Sequence, residues 1–312
     1  MKVIGVVEYG GPEALQVFDV PEPHAGPGQV RIRVRAATVN PTDTAVRNGS
    51  RAAAQKEFTA PYVPGMEAAG VLDEIGAGVD THLAIGDEIM AILVPRGSHG
   101  AYSEMVVVPI ESVARVPAGC SLVEAATLPM NGLTARLALD LLALQPGQTL
   151  AVTGAAGAFG GYVVQLAKTE GLRVIADASP ADAALVKSLG ADEVVARGDD
   201  VAERIRAIMP GGVDGLADGA LLNAKALPAV RDGGGLAAVR TVSYDTERGI
   251  TIHPVWVRDY AREHAKLDRL RQHVEDGTLT LRVARTLTAE TAGDAHRQLE
   301  AGGTRGRLVI EL

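Results

Sequence analysis

Apolar and polar positions alternate through the first third of the chain, most cleanly in VRIRVR, residues 30–35. A period of two belongs to a strand with one buried face. KVIGVVEY, VRIRVRAATV, AAGVLDEIG, DEIMAILV and AYSEMVVVP all read as short strands punctuated by Gly and Pro, and PEPHAGPGQ reads as a loop between two of them. Strands at this spacing predict a small, mostly β barrel over residues 1 to about 120.

After Pro117 the pattern changes. SLVEAATLP and NGLTARLALDLLAL are helical, and Ser121 and Glu124 stand in capping-box spacing. Strands and helices then alternate: TLAVTG, AFGGYVVQLAKTEG, RVIADA, PADAALVKSLG, EVVA, DDVAERIRAIM, VDGLADG, LLNAKALPAVRDG and GLAAVR. This order predicts a doubly wound parallel sheet. From Ile250 onwards the texture is mixed, with helices near 260–275 and 290–300 and a closing strand RLVIEL. The expected fold is α/β in two domains. One is a barrel of residues 1–120 and 270–312, and the other is the parallel-sheet domain of residues 121–269.

Composition narrows the classes. The 312 residues suffice for two cores, and 47% are hydrophobic without any apolar run long enough to span a bilayer. MKVIGVVEYGG runs straight into a strand pattern, unlike a secretory signal, so a soluble cytoplasmic protein without membrane contact is expected. One cysteine, Cys120, excludes an intramolecular disulfide framework and a Cys-rich zinc module. A net charge of −8, with no Lys/Arg block, argues against a nucleic-acid partner.

TLAVTGAAGAFGGYVVQLAKTEGLRVIAD places a strand, a glycine turn, a helix and a second strand in succession. Gly154, Gly157 and Gly160 sit three apart, with Ala155, Ala156, Ala158 and Phe159 between them. Glycines permit a tight turn and let N–H groups at the helix start face a pyrophosphate. A side chain on Gly157 is expected to block that approach and to strain φ there. Asp177, closing the second strand, is placed to hydrogen-bond the ribose diol of NAD, and Val239, closing GLAAVR, joins the candidate cofactor residues. In VPGMEAAGV, residues 63–71, small residues surround Met66 and Glu67. Glu67 suits a general base or a metal ligand, and Met66 a soft ligand or core filler.

GMEAAG in the barrel, GAYSEMVVVP, LPMNGLTA, AAGAFG and SLGADEVV, in that order, resemble the medium-chain dehydrogenases/reductases, and most closely the zinc-independent quinone oxidoreductase (zeta-crystallin-like) branch. The resemblance runs the length of the chain and implies a GroES-like barrel with a Rossmann domain. It implies reduction of a quinone or an α,β-unsaturated carbonyl by hydride from NADPH, with NAD as the alternative cofactor. A zinc-free alcohol dehydrogenase and a nucleotide-binding protein without turnover are the competing readings. Zinc-dependent relatives hold their metal with a cysteine, a histidine and a further cysteine. The matching places here are Asn40, Met66 and about Met130. An amide and two thioethers suit Zn²⁺ poorly, so no metal is expected, and Glu67 becomes a brace.

By the same resemblance Asn40 reaches the pocket and donates to a developing enolate. The alternative is a turn cap before Pro41. Thr134 matches a threonine near the nicotinamide, or else bonds its own helix. Tyr62, beside PGMEAAG, is assigned to the substrate pocket as a proton donor or else only packs, and Met66 fills the ligand's place there; Ala45 replaces an aromatic and widens the pocket, and His99 lies at its mouth or in solvent. Trp256 and Tyr260 face either the pocket or a subunit contact. Relatives using NADPH hold its 2′-phosphate with a lysine and a tyrosine, at about Ala183 and Ala196 here, which leaves Ser179 and Arg197 as donors. GITIHPVWV resembles the last Rossmann strand, which in relatives pairs across a twofold axis, so a homodimer is expected.

Overall fold

The computed structural model describes residues 1–240, 246 and 248–312. The chain forms two compact units, one of Met1–Met130, Ala261–Glu275 and Leu281–Leu312, the other of Asn131–Tyr260 and Asp276–Thr280. Among the described residues no helix is long and apolar enough to cross a membrane.

In the first unit β1 (Lys2–Gly5) and β2 (Gln16–Asp19) make an antiparallel ribbon. The chain continues through β3 (Gln29–Thr38), α1 (Pro41–Arg47), α2 (Ala52–Gln55), β4 (Glu67–Ile75), β5 (Glu88–Ile92), β6 (Met105–Pro109), β7 (Val113–Arg115) and α3 (Leu122–Ala125). Strand β3 shows the predicted period of two: Val30, Ile32 and Val34 are buried. The outward Arg31 and Arg33 both bond Asp73 of β4, at 2.7 and 2.6 Å. The inward residues meet Leu72, Ile89 and Tyr102 in one core cluster. Helix α3 opens with the expected capping box, in which Ser121 N–H donates to Glu124 (2.9 Å) and Glu124 N–H to the Ser121 hydroxyl (3.2 Å).

The second unit follows with α4 (Pro129–Leu142, its first two residues in the first unit), β8 (Thr149–Thr153), α5 (Ala158–Thr169), β9 (Arg173–Ala178), α6 (Ala183–Ser188), β10 (Glu193–Ala196), α7 (Val201–Ile208), β11 (Val213–Asp218), β12 (Val230–Val239) and β13 (Thr251–Val255). All six strands run parallel, in the order β10-β9-β8-β11-β12-β13. Strand β8 is buried at every position, as a strand covered on both faces must be. The strand order reverses between β8 and β11, and at such a point loops leave a crevice at the carboxyl ends. The helix expected within LLNAKALPAVRDG is only a 3₁₀ segment, Asn223–Ala229. Pro228 lies inside it and has no N–H to continue a ladder.

The chain then returns to the first unit as α8 (His264–Glu275), β14 (Val283–Thr288), α9 (Ala292–Ala301) and β15 (Arg307–Glu311). Strand β15 pairs antiparallel with the end of β3, Val309 opposite Thr38, and completes the sheet β14-β15-β3-β4-β5-β7. Strand β6 pairs with the first half of β3. The units divide near 130 and 261 rather than at the expected 120 and 269, because α3 packs on β3, β4 and β5, and α8 packs on β7.

Candidate functional site

The glycine turn leaves β8 at the switch point. Gly154 has φ +66°, and a Cβ on it would lie 2.9 Å from the Gly219 carbonyl carbon, so both conformation and space require glycine. A Cβ on Gly160 would lie 2.8 Å from Ala155 Cα, so the helix start rests directly on the turn. Gly157, the N-cap of α5, differs. Its φ of −72° and ψ of 176° are open to any residue, and an added Cβ would meet only the Gly154 oxygen, at 3.1 Å. The expected strain in φ belongs to Gly154 instead. The first N–H groups of α5 have no carbonyl within the helix to bond. A cradle that side chains would fill, ending on these donors, fits the pyrophosphate of a dinucleotide.

Asp177 turns into this cradle. Its Oδ1 accepts from Gly154 N–H (2.7 Å) and Ala155 N–H (3.3 Å), and burial raises its carboxyl above the usual range against those bonds. Asp218, at the end of β11, does the equivalent for the next loop. It accepts from the Thr153 hydroxyl (2.6 Å), Leu222 N–H (3.1 Å) and Asn223 N–H (2.7 Å). The sequence carried a signal for Asp218, since VDGLADG has an aspartate next to its last residue, as VIADA does. Ala155 and Ala156 are buried in the turn, and the Phe159 ring lies against Gly219. Ser179 donates to Asp182 at 2.5 Å, Arg197 is exposed beside Ala178, and Val239 is half-buried at the end of β12.

A second site lies inside the first unit. Thr38, Asn40 and Glu67 are wholly buried, and Arg307 nearly so. The Arg307 Nη2 reaches Glu67 Oε1 (2.5 Å), Asn40 Oδ1 (2.7 Å) and the Thr38 hydroxyl (2.6 Å). Glu67 Oε1 also accepts from the Thr38 hydroxyl and from Asn40 Nδ2 (3.1 Å), and Oε2 accepts Met130 N–H (2.7 Å). Antiparallel pairing of β15 with β3 brings Arg307 here, and Glu67 begins β4, the other neighbour of β3. Sequence reading missed Arg307. Its only signal is one arginine heading the apolar run Leu308–Ile310 of the closing strand. Among the described residues no group of three or more His, Cys, Asp and Glu could hold a metal.

Two families match the chain, the alcohol dehydrogenase GroES-like domain over residues 26–118 and the zinc-binding dehydrogenase over residues 189–310. A quinone oxidoreductase of Pseudomonas aeruginosa is 33% identical over 67% of this chain and 63% of that protein. Among solved structures, an NAD-dependent alcohol dehydrogenase aligns at 31% identity and TM-score 0.86, covering 100% of both chains. The chain belongs to the medium-chain dehydrogenases/reductases. A mycobacterial member solved with NADPH aligns at 28% identity and TM-score 0.88, again over 100% of both chains. The chain spans less than two thirds of the curated relatives first matched, among them polyketide synthases of which it covers 8% and 5%.

Within this family framework the remaining candidates fall into different places. Met66 and Met130 are buried in the first unit, and Thr134 is buried in the second. Tyr62 stacks on Tyr9 with ring centroids 5.3 Å apart and is half-buried. His99 is tied to the Val107 carbonyl at 2.6 Å, and burial lowers its pKa, so its imidazole stays neutral. Trp256 is exposed under the Arg258 guanidinium, and Tyr260 donates to Asp140 at 2.7 Å. Cys120 is half-buried, and burial pushes its thiol up, away from the reactive thiolate.

Proposed function

We propose that this chain is a zinc-independent reductase of quinones or α,β-unsaturated carbonyls that uses NADPH. The observation that carries the reading is the Arg307 guanidinium bonded to both Asn40 and Glu67. Zinc-dependent relatives keep a metal-ligand set at the matching places. Here a buried guanidinium is bonded to Asn40 and Glu67, and the matching places carry an amide and two thioethers, a set that does not fit Zn²⁺. No Lewis acid then polarises a carbonyl, and hydrogen bonds must stabilise the charge that develops on oxygen. Conjugated acceptors suit that limit, because their charge is delocalised.

A bound reduced nicotinamide supplies the hydride. Gly154, Gly157 and Gly160 receive the pyrophosphate, and Asp177 holds the turn in shape through two of its N–H groups. Arg307 fixes the Asn40 oxygen, and Glu67 takes one amide hydrogen. The other amide hydrogen has only 3.5 Å contacts with Thr38, long for a hydrogen bond, and is the donor left for an enolate oxygen. Tyr62 and Met66 are assigned to the substrate side, and Thr134 to the nicotinamide side.

The test is NAD(P)H oxidation with a panel of quinones and 2-enones, before and after chelation. Turnover unchanged by chelators, in protein without stoichiometric zinc, is the expected result. One tightly held zinc per chain, with activity lost on chelation, would overturn the zinc-independent reading, and oxidation of simple alcohols without turnover of quinones or enones would favour the zinc-free alcohol dehydrogenase alternative. Dinucleotide binding without turnover would make this a nucleotide-binding protein.

The preference for NADPH rests on charge. Asp177 faces the turn rather than solvent, and Arg197 is exposed next to β9 where it can bond a 2′-phosphate in bidentate fashion. The NADPH-bound mycobacterial relative supports the choice. A charge-assisted bond of roughly 1.5–3 kcal/mol corresponds to about ten- to hundredfold. Arg197→Ala is therefore expected to cut the kcat/KM ratio of NADPH over NADH about tenfold or more. A wild-type preference for NADH reverses the choice of cofactor.

We assign the dimer contact to β13, the edge strand of the parallel sheet. An open edge seeks a partner, and a second copy related by a twofold axis extends the sheet. Sedimentation at micromolar concentration is expected to show a dimer. A monomer there would exclude this contact.

A further inference from the structure

Asp43, in the first turn of α1, is wholly buried and holds two segments of the proposed site at once. Its Oδ2 accepts the backbone N–H of Asn40 (2.7 Å), and its Oδ1 accepts the N–H of Gly65 (2.9 Å), the residue before Met66 and Glu67. A third donor approaches from behind, the Tyr102 hydroxyl, 3.4 Å from Oδ2. Tyr102 in turn lies 3.1 Å from His296 Nε2, and His296 Nδ1 lies 3.4 Å from Arg47 Nη1. Arg47 closes the row on Glu300 at 2.6 Å, where α9 meets solvent. Tyr102 and His296 are fully buried. Neither has a part in the chemistry described above.

The direction of every bond in the row follows from its arginine. A guanidinium only donates, so His296 Nδ1 accepts, and the neutral imidazole carries its hydrogen on Nε2. That hydrogen points at the Tyr102 oxygen, which leaves the phenol hydrogen for Asp43. The whole row is polarised towards one carboxylate. His296 cannot take a second proton to reverse it, since burial and the Arg47 charge lower its pKa to about 3. We infer that Asp43 is a positioning residue, whose ionised carboxylate holds the Asn40 segment against the Met66–Glu67 segment and lets go when it binds a proton. A protonated Asp43 keeps its bond to Tyr102 only by competing with the phenol hydrogen. Burial raises its pKa to about 7, and the bonds from Asn40 and Gly65 and the charge of Arg307 oppose that rise, while Glu67 adds to it. The release therefore falls within the physiological range. This inference rests on Asn40 as the donor to the reduced substrate.

The test follows the Asn40 side-chain amide by NMR against pH in asparagine-labelled protein, with kcat measured alongside. Wild type is expected to lose about tenfold in kcat from pH 8 to pH 6, as a single group of pKa about 7 dictates, with the Asn40 signal moving over the same range. Tyr102→Phe removes a distant donor, 3.4 Å from the carboxylate, and should move both transitions upward by about a few tenths of a pH unit, without changing dinucleotide affinity. A purely structural Tyr102 would lower the melting temperature and leave both transitions in place, which overturns the inference. Should Asp43→Asn fold, its kcat and Asn40 signal are expected to be flat over this range, and a surviving transition would equally overturn it. An Asn40 signal that titrates in a protein turning over no quinone or enone would refute the functional reading and leave the positioning role standing.

Discussion

Arg307→Leu is expected to destabilise the first unit by about 3–5 kcal/mol, more than any other single change at the candidate site. Glu67 is completely buried, and the guanidinium is its counter-charge at 2.5 Å. Without it the carboxylate keeps the Thr38 hydroxyl, the Asn40 amide and Met130 N–H as donors, but no opposite charge beside it. Glu67→Gln alone leaves the mirror fault, a buried guanidinium facing a neutral amide. The double variant leaves neither charge, so it should recover most of the loss, and the two substitutions should be strongly non-additive. Urea unfolding of the four proteins is the measurement. Single variants within 1 kcal/mol of wild type would mean that water already screens the pair. Arg307→Leu also removes the positive charge that holds down the Asp43 pKa, so the acid limb of kcat should move to higher pH.

The parts of the molecule legible in the sequence are those set by neighbours along the chain. The period of two in VRIRVR, the Ser121–Glu124 cap and the turn between β8 and α5 are local patterns, and the structure shows each of them. Arg307 was not legible because 267 residues separate it from Asn40, and only the pairing of β15 with β3 joins them. The row from Asp43 to Glu300 was hidden for the same reason, with 194 residues between Tyr102 and His296. Asp177 was legible as an aspartate at a strand end, whereas the direction of its carboxylate was not. A strand ending fixes where an aspartate stands, whereas a one-residue difference in register decides whether its carboxylate meets a ligand or its own turn. The 3₁₀ segment at Asn223–Ala229 was a matter of one residue, Pro228.

Gly157→Val is expected to weaken dinucleotide binding by at least a hundredfold in a protein that still folds. The three glycines of the turn have different duties, and this one has no duty to the fold. Gly154 needs its positive φ, and Gly160 needs its bare face against Ala155, so valine at either place should destabilise the second unit. Gly157 has an extended backbone that valine adopts readily, and its Cβ would meet one oxygen at 3.1 Å, a few tenths too close. Replacing a glycine N-cap by valine costs about 1 kcal/mol of helix stability. The ligand fares worse. An N-cap side chain projects over the second and third N–H groups of its helix, which is why serine or aspartate can cap them. Valine puts two methyl groups over those donors, where the pyrophosphate would otherwise bond. Two charge-assisted bonds at roughly 1.5–3 kcal/mol each amount to two decades of affinity or more. Calorimetric titration with NADPH and NADH, beside thermal unfolding of the three valine variants, separates ligand from fold. Undiminished affinity in Gly157→Val would show that the turn only joins a strand to a helix, and would remove the cofactor from this end of β8.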